Sequence, residues 1–122
     1  MGNHLNSLYK RVSNLIPEQF DWGQITWLIR GITDPGAQQT VGLCHINPGA
    51  SNPLHYHPNC EEVLYVISGS CIKLVGDKSF AMKTGDVVRI PKGEKHRATA
   101  NSNEPFICLI TYDVPNRQIE LV

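Results

Sequence analysis

The chain has 122 residues, of which 41% are hydrophobic and 18% charged; that is long enough for one globular domain, short for two, and too apolar for a disordered chain. Formal net charge is +0, the pI is about 6.9, and no run of like charge exceeds two residues, so there is no basic face for nucleic acid and little self-repulsion to oppose an oligomer. No apolar stretch approaches membrane-spanning length.

Residues Met1 to Pro17 lack the continuous apolar segment and small-residue cleavage site of a secretory signal, so the chain is read as cytoplasmic. Leu5, Leu8, Val12 and Leu15 recur at spacings of three and four. They predict a weak amphipathic helix stopped by Pro17, or else an irregular arm, within an N-terminal segment over 1–20. The remainder, 21–122, is read as one domain. Its texture is short apolar runs over 24–30, 40–47, 54–57, 63–67, 71–75, 79–82, 87–90, 96–100 and 106–114. Turn signals such as Asp34-Pro35-Gly36, Asn47-Pro48-Gly49, Ser68-Gly69 and Pro91-Lys92-Gly93 cut them apart. Many short strands with no long helix between them predict an antiparallel sandwich or barrel, not βαβ units.

The chemistry is concentrated in a few side chains. His55 and His57 stand one residue apart in a run bracketed by Pro53 and Pro58. A proline drives the residue before it toward extended geometry, and in a strand residues i and i+2 share a face. Both imidazoles then point the same way, with Tyr56 opposite. A carboxylate follows at Glu61 or Glu62; strand parity alone does not choose between them, and the other one faces solvent. His96 follows a Pro91–Gly93 turn. Three imidazole nitrogens and one carboxylate oxygen suit a first-row transition metal.

Read in order, these residues resemble the two motifs of the cupin family. The first runs Gly49, five residues, His55-Tyr56-His57, four residues, Glu62, six residues, Gly69; the step back from Gly69 selects Glu62 over Glu61. The second runs Gly85, Pro91, Gly93 and His96, and departs only at its closing asparagine, where Ala100 stands and Asn101 comes one residue late. The resemblance implies an all-β, double-stranded β-helix of jelly-roll type, RmlC-like, with His55, His57, Glu62 and His96 holding one divalent metal per chain. Iron, manganese, nickel, zinc, copper and cobalt all remain open. It also implies a homodimer and a small oxygenated molecule as ligand. The expected function is a metal-dependent enzyme of dioxygenase, isomerase or decarboxylase type, with a non-catalytic binding or sensing module as the alternative.

Around that site, Arg30, Arg89, Arg97 and Lys73 are candidates for holding an anion, and Trp27, Tyr65, Phe80, Phe106 and Tyr112 for lining a pocket or packing the core. Arg89, Arg97 and Tyr65 are the residues expected to touch a substrate. His4 and His45 do not fit the ligand pattern. Cys44, Cys60, Cys71 and Cys108 have no C-x-x-C spacing and are expected to be small buried hydrophobes in a reduced compartment, Cys60 being a bystander beside the metal motif.

Overall fold

A computed structural model describes residues 8–122. Among the described residues the chain forms eleven strands and one 3-10 turn. In chain order the strands are β1 (Glu18–Phe20), β2 (Gly23–Ile29), β3 (Thr40–Ile46), β4 (His55–Tyr56), β5 (Glu62–Ser68), β6 (Ser70–Val75), β7 (Lys78–Lys83), β8 (Val87–Ile90), β9 (His96–Ala100), β10 (Phe106–Tyr112) and β11 (Glu120–Leu121). One sheet has the order β1-β2-β3-β10-β5-β8 and the other β11-β4-β9-β6-β7, and every pairing is antiparallel. This is the antiparallel sandwich expected from the strand pattern, and the jelly roll that the resemblance implies.

Alternation explains why the two sheets face each other. In β3 and β10 every second residue is buried, from Thr40 to Ile46 and from Phe106 to Tyr112. The period of two puts Ile46, Phe106, Cys108 and Ile110 on one inner face. There they pack with Ile25, Leu64, Val66 and Cys71 from neighbouring strands. The same alternation fixes β5: Leu64 and Val66 turn inward and are 3% and 0% exposed, while Tyr65 faces out. Glu62 shares the parity of Leu64 and Val66, so the strand carries its carboxylate into the interior.

Two edge elements lie outside the expected set. Strand β1 arises within the segment read as an arm and pairs Glu18 with Ile25, while β11 pairs Glu120 with Tyr56 and Leu121 with His55. Both are too short to show a period in the sequence. Among the described residues of the arm, the irregular form fits. Beyond Leu8 its regular structure is the 3-10 turn Val12–Asn14 and strand β1, with Leu8 and Val12 64% and 47% exposed. A turn of three residues presents no stripe to bury, so packing cannot extend it into a helix; Leu5 and His4 lie outside the described residues. No helix among the described residues is long and apolar enough to cross a membrane.

Gly69 closes the tight β5–β6 turn in the left-handed region, at φ +80, with the Pro105 carbonyl where a Cβ would sit. Gly93, at φ +84, turns the chain before β9 and donates its N–H to the His57 carbonyl at 3.0 Å. Both turns need positive φ, which glycine supplies without steric cost. The second one ties the approach to His96 directly to His57.

Candidate metal centre

His55, His57, Glu62 and His96 come together inside the barrel, and the atoms they offer as ligands all lie within 4.8 Å of one another. All four are buried, at 5%, 2%, 3% and 1% exposure. They reach this point from both sheets. His55 lies on β4, directly opposite His96 on β9, and Glu62 opens β5 in the facing sheet.

Each imidazole is oriented through its other nitrogen. The Nδ1 atoms of His55, His57 and His96 lie 2.6, 2.8 and 2.9 Å from the carbonyls of Pro53, Gln118 and Glu94. A carbonyl only accepts, so each Nδ1 carries a hydrogen and each ring turns its Nε2 inward. His57 Nε2 and His96 Nε2 are both 3.2 Å from Glu62 Oε1. The His57 contact is out of line for a hydrogen bond, leaving its Nε2 buried without a partner. Protonating a second nitrogen on one ring would satisfy one lone pair only, and three imidazolium ions cannot coexist at this spacing. His55 shows the cost: burial, then the charge of His96, push its pKa down from 6.5 to about 3. Glu62 behaves oppositely. Burial alone would raise its pKa, but its contacts with His57 and His96 and the charge of Lys73 hold it well below the carboxylate range, hence ionised. Three inward Nε2 atoms, one of them orphaned, and one carboxylate fit a divalent cation at their centre.

The site opens on a cavity of about 330 Å³, whose wall includes Glu62, His96, Leu64, Phe106, Tyr112 and Arg117. That volume lies at the lower end of the ~300–1,000 Å³ typical of small-molecule pockets. Tyr112 packs edge-on against His57, with ring centroids 5.0 Å apart. Burial first, then the Glu62 charge, hold its phenol pKa well above the usual tyrosine value.

The other expected residues fall elsewhere. Arg89 is paired with Glu61 at 2.8 Å on the outer face, their side chains 64% and 39% exposed. Arg97 is exposed on β9, and Tyr65 is 46% exposed on β5; none of the three lines the cavity. Alternation turns each of them outward, because Ile90, His96 and Leu64 beside them take the inner positions. Among the pocket candidates, Phe106 and Tyr112 do line the cavity, whereas Phe80 is 38% exposed and Trp27 borders a separate cleft. Lys73, one of the candidates for holding an anion, is buried in the cavity wall. All four cysteines are free and buried, and burial raises the Cys60 thiol pKa to about 11.

Some supporting contacts had no signal in the sequence. Asn59 accepts from the Gln118 N–H at 2.9 Å and donates to the Asn116 carbonyl at 3.0 Å, fixing the segment whose carbonyl orients His57. Asn52 accepts from the Ala98 N–H at 2.8 Å, beside His96 on β9. Asparagines near turns are ordinary loop residues, and only the fold reveals that these two brace the site.

Comparison with known proteins agrees with this geometry. The cupin domain family model matches residues 42–112. The tetracenomycin polyketide synthase protein TcmJ of Streptomyces glaucescens is 24% identical over 94 residues, covering 77% of this chain and 63% of that one. Auxin-binding protein ABP19b of Prunus persica is 29% identical over 82 residues, covering 63% of this chain and 39% of that one. The structure of Lactobacillus farciminis oxalate decarboxylase in complex with formate superposes with a TM-score of 0.83 at 28% identity, over 90% of this chain and 34% of that one. The chain thus spans less than two thirds of the length of each of these proteins. With the family model matching over half of its length, and with a jelly roll enclosing a His-His-Glu-His cluster, the chain belongs to the cupin family.

Proposed function

We propose that the chain holds one divalent transition metal on His55, His57, Glu62 and His96 and acts as a metal-dependent enzyme on a small oxygenated organic molecule. The observation that carries this reading is the convergence of three inward Nε2 atoms and one ionised carboxylate beside a cavity of about 330 Å³. When bound, such a metal supplies a Lewis acid, or a binding position for oxygen, at the coordination sites the protein leaves free. The chemistry is of decarboxylase, dioxygenase or isomerase type, and the likeness to an oxalate decarboxylase supports the first of these.

The chain's own residues define what the cavity can do. Leu64, Phe106 and Ile110 form apolar wall that excludes water, which strengthens every polar contact a ligand makes there. Tyr112 keeps its proton at neutral pH and so serves as a hydrogen-bond donor beside Glu62. Arg117, whose Nη1 donates to the Tyr112 hydroxyl at 3.4 Å, steers that hydroxyl's own hydrogen away from itself. Ile119 and Leu121 from the C-terminal segment complete the wall.

The auxin-binding relative favours a second reading, in which the same site binds a small ligand without turnover. Metal-loaded protein tested for oxygen uptake and for carbon dioxide release, with carboxylates, diketones, catechols and thiols, separates the two. Turnover of one class supports the enzyme; saturable binding without turnover supports the binding module. Neither turnover nor binding contradicts both.

We also infer a homodimer. The outer face carries Val87, Tyr65 and Ile67 at 63%, 46% and 43% exposure, and Tyr65 and Val87 are paired across β5 and β8. Light scattering tests this, and a strict monomer at high concentration contradicts it. Four free cysteines support a reducing, cytoplasmic setting.

A further inference from the structure

Lys73 sits in the middle of β6, with its Cα opposite Ala98 on β9 and Phe80 on β7. It is only 1% exposed and is among the largest fully buried side chains of the chain. Lysine is almost never buried this far without a partner. Yet no carboxylate among the described residues forms an ion pair with it: the pairs present join Lys10 to Asp34, Arg89 to Glu61, and His57 and His96 to Glu62. The small Ala98 and Ala100 across the strand pair leave room for its stem.

The ammonium belongs to the same cavity as the metal cluster, since Lys73, His55, Glu62 and His96 all line it. Ala98 lies two residues beyond His96 on the same inner face, so the Lys73 Cα stands one diagonal step from His96, roughly 7–8 Å away. Besides Glu62, the acid that lines the cavity is Glu18, which is exposed at its edge. A divalent cation on the four ligands would therefore leave the interior with an excess of positive charge. Buried excess charge is costly until a counter-ion arrives.

We propose that Lys73 is the anchor for the anionic end of the ligand, so that the molecule accepted by this cavity is a small carboxylate held between the Lys73 ammonium and the metal position. This inference rests on the metal-site reading above and adds the substrate class to it. Apolar neighbours such as Leu64 and Phe106 shield the contact from water, where a charge-assisted hydrogen bond is strongest. A lysine suits this role because it offers a compact charge with three donors that a carboxylate of varied size can meet. Neutral analogues of the same shape would leave the ammonium unpaired and bind poorly.

The test compares wild type with Lys73→Met, both loaded with manganese(II), using calorimetric titration of malonate and of the neutral malonamide, alongside metal content by elemental analysis. Methionine keeps the stem volume and removes the charge. Expected are unchanged metal content in the variant, malonate binding weakened by more than about 30-fold, and loss of the wild-type preference for malonate over malonamide. Lys73→Gln, read in the same way, serves if the methionine variant does not fold. Equal malonate affinity in wild type and variant overturns the Lys73 assignment while leaving the metal site standing, as does wild type that takes up metal and binds no malonate. A variant that loses metal also overturns it, because the ammonium would then be supporting Glu62 instead of holding an anion. Wild type that takes up no manganese overturns the reading of the site itself.

Discussion

His55 and His96 face each other as direct partners across β4 and β9, with ring centroids 4.2 Å apart and both side chains buried. The two rings cannot both become charged at that distance, and burial adds to the penalty. Burial and the His96 charge thus bring the His55 pKa from 6.5 to about 3. An unfolded chain takes up that proton near 6.5, whereas the folded chain refuses it until about 3. Stability of the metal-free protein should therefore fall as pH drops through this window, approaching roughly 1.4 kcal/mol per pH unit for one such group. Glu62 adds to the loss at lower pH, since its folded pKa lies well below the ordinary 4.5. Urea unfolding across this range measures the slope, and His55→Ala should flatten it. A wild-type profile already flat would show that the rings are not buried together.

Glu61 and Glu62 differ by one position and by every physical circumstance. Glu62 is 3% exposed and faces two imidazoles at 3.2 Å, while Glu61 pairs with Arg89 on the surface at 2.8 Å. Replacing Glu62 by Gln should weaken metal affinity by more than about 100-fold, above the range that outer supporting groups reach. The Glu61→Gln change should leave it within about twofold, as a surface pair contributes little. Competition with a chelating dye measures both, and equal effects would reassign the ligand.

Asn59 is not one of the four ligand residues, yet it clamps Gln118, whose carbonyl receives the His57 Nδ1 hydrogen. Asn59→Ala should lower metal affinity by about tenfold, typical of a lost outer-sphere contact. The fold should survive, because Asn59 lies in a loop. An unchanged affinity, measured by the same competition, would mean that Gln118 holds its place without the clamp.

How much of this was legible beforehand follows from what each feature depends on. The strands at 87–90 and 96–100 were readable to the residue, because alternation and flanking glycines bound them. The four-residue cluster was readable because its order along the chain mirrors a known pair of motifs. The outward placement of Arg89, Arg97 and Tyr65 was not, since parity in a strand is known only once one residue's face is fixed. Lys73 was hidden for a related reason: a charged residue in a strand is ordinarily on the wet side. Here Cys71 and Lys73 take the inner face of β6 while Ile72 is 37% exposed. Strands β1 and β11 exist only by pairing with β2 and β4, so local sequence carried no trace of them.

Gly69 carries a constraint that is independent of the metal. At φ +80, with the Pro105 carbonyl at the place of its missing Cβ, Gly69→Ala has to strain the backbone and displace the turn before β10. The expected cost is roughly 3 kcal/mol. Denaturant midpoints report it, and a change below about 0.5 kcal/mol would mean the turn relaxes freely.

Elemental analysis of tag-free protein, purified without added metal or chelator, bears most directly on the convergence of His55, His57, Glu62 and His96 upon one cation. One transition-metal ion per chain is expected in the wild type, and essentially none in the His55→Ala, His57→Ala, His96→Ala triple variant. Metal-free wild type, or equal metal in the two proteins, would contradict it.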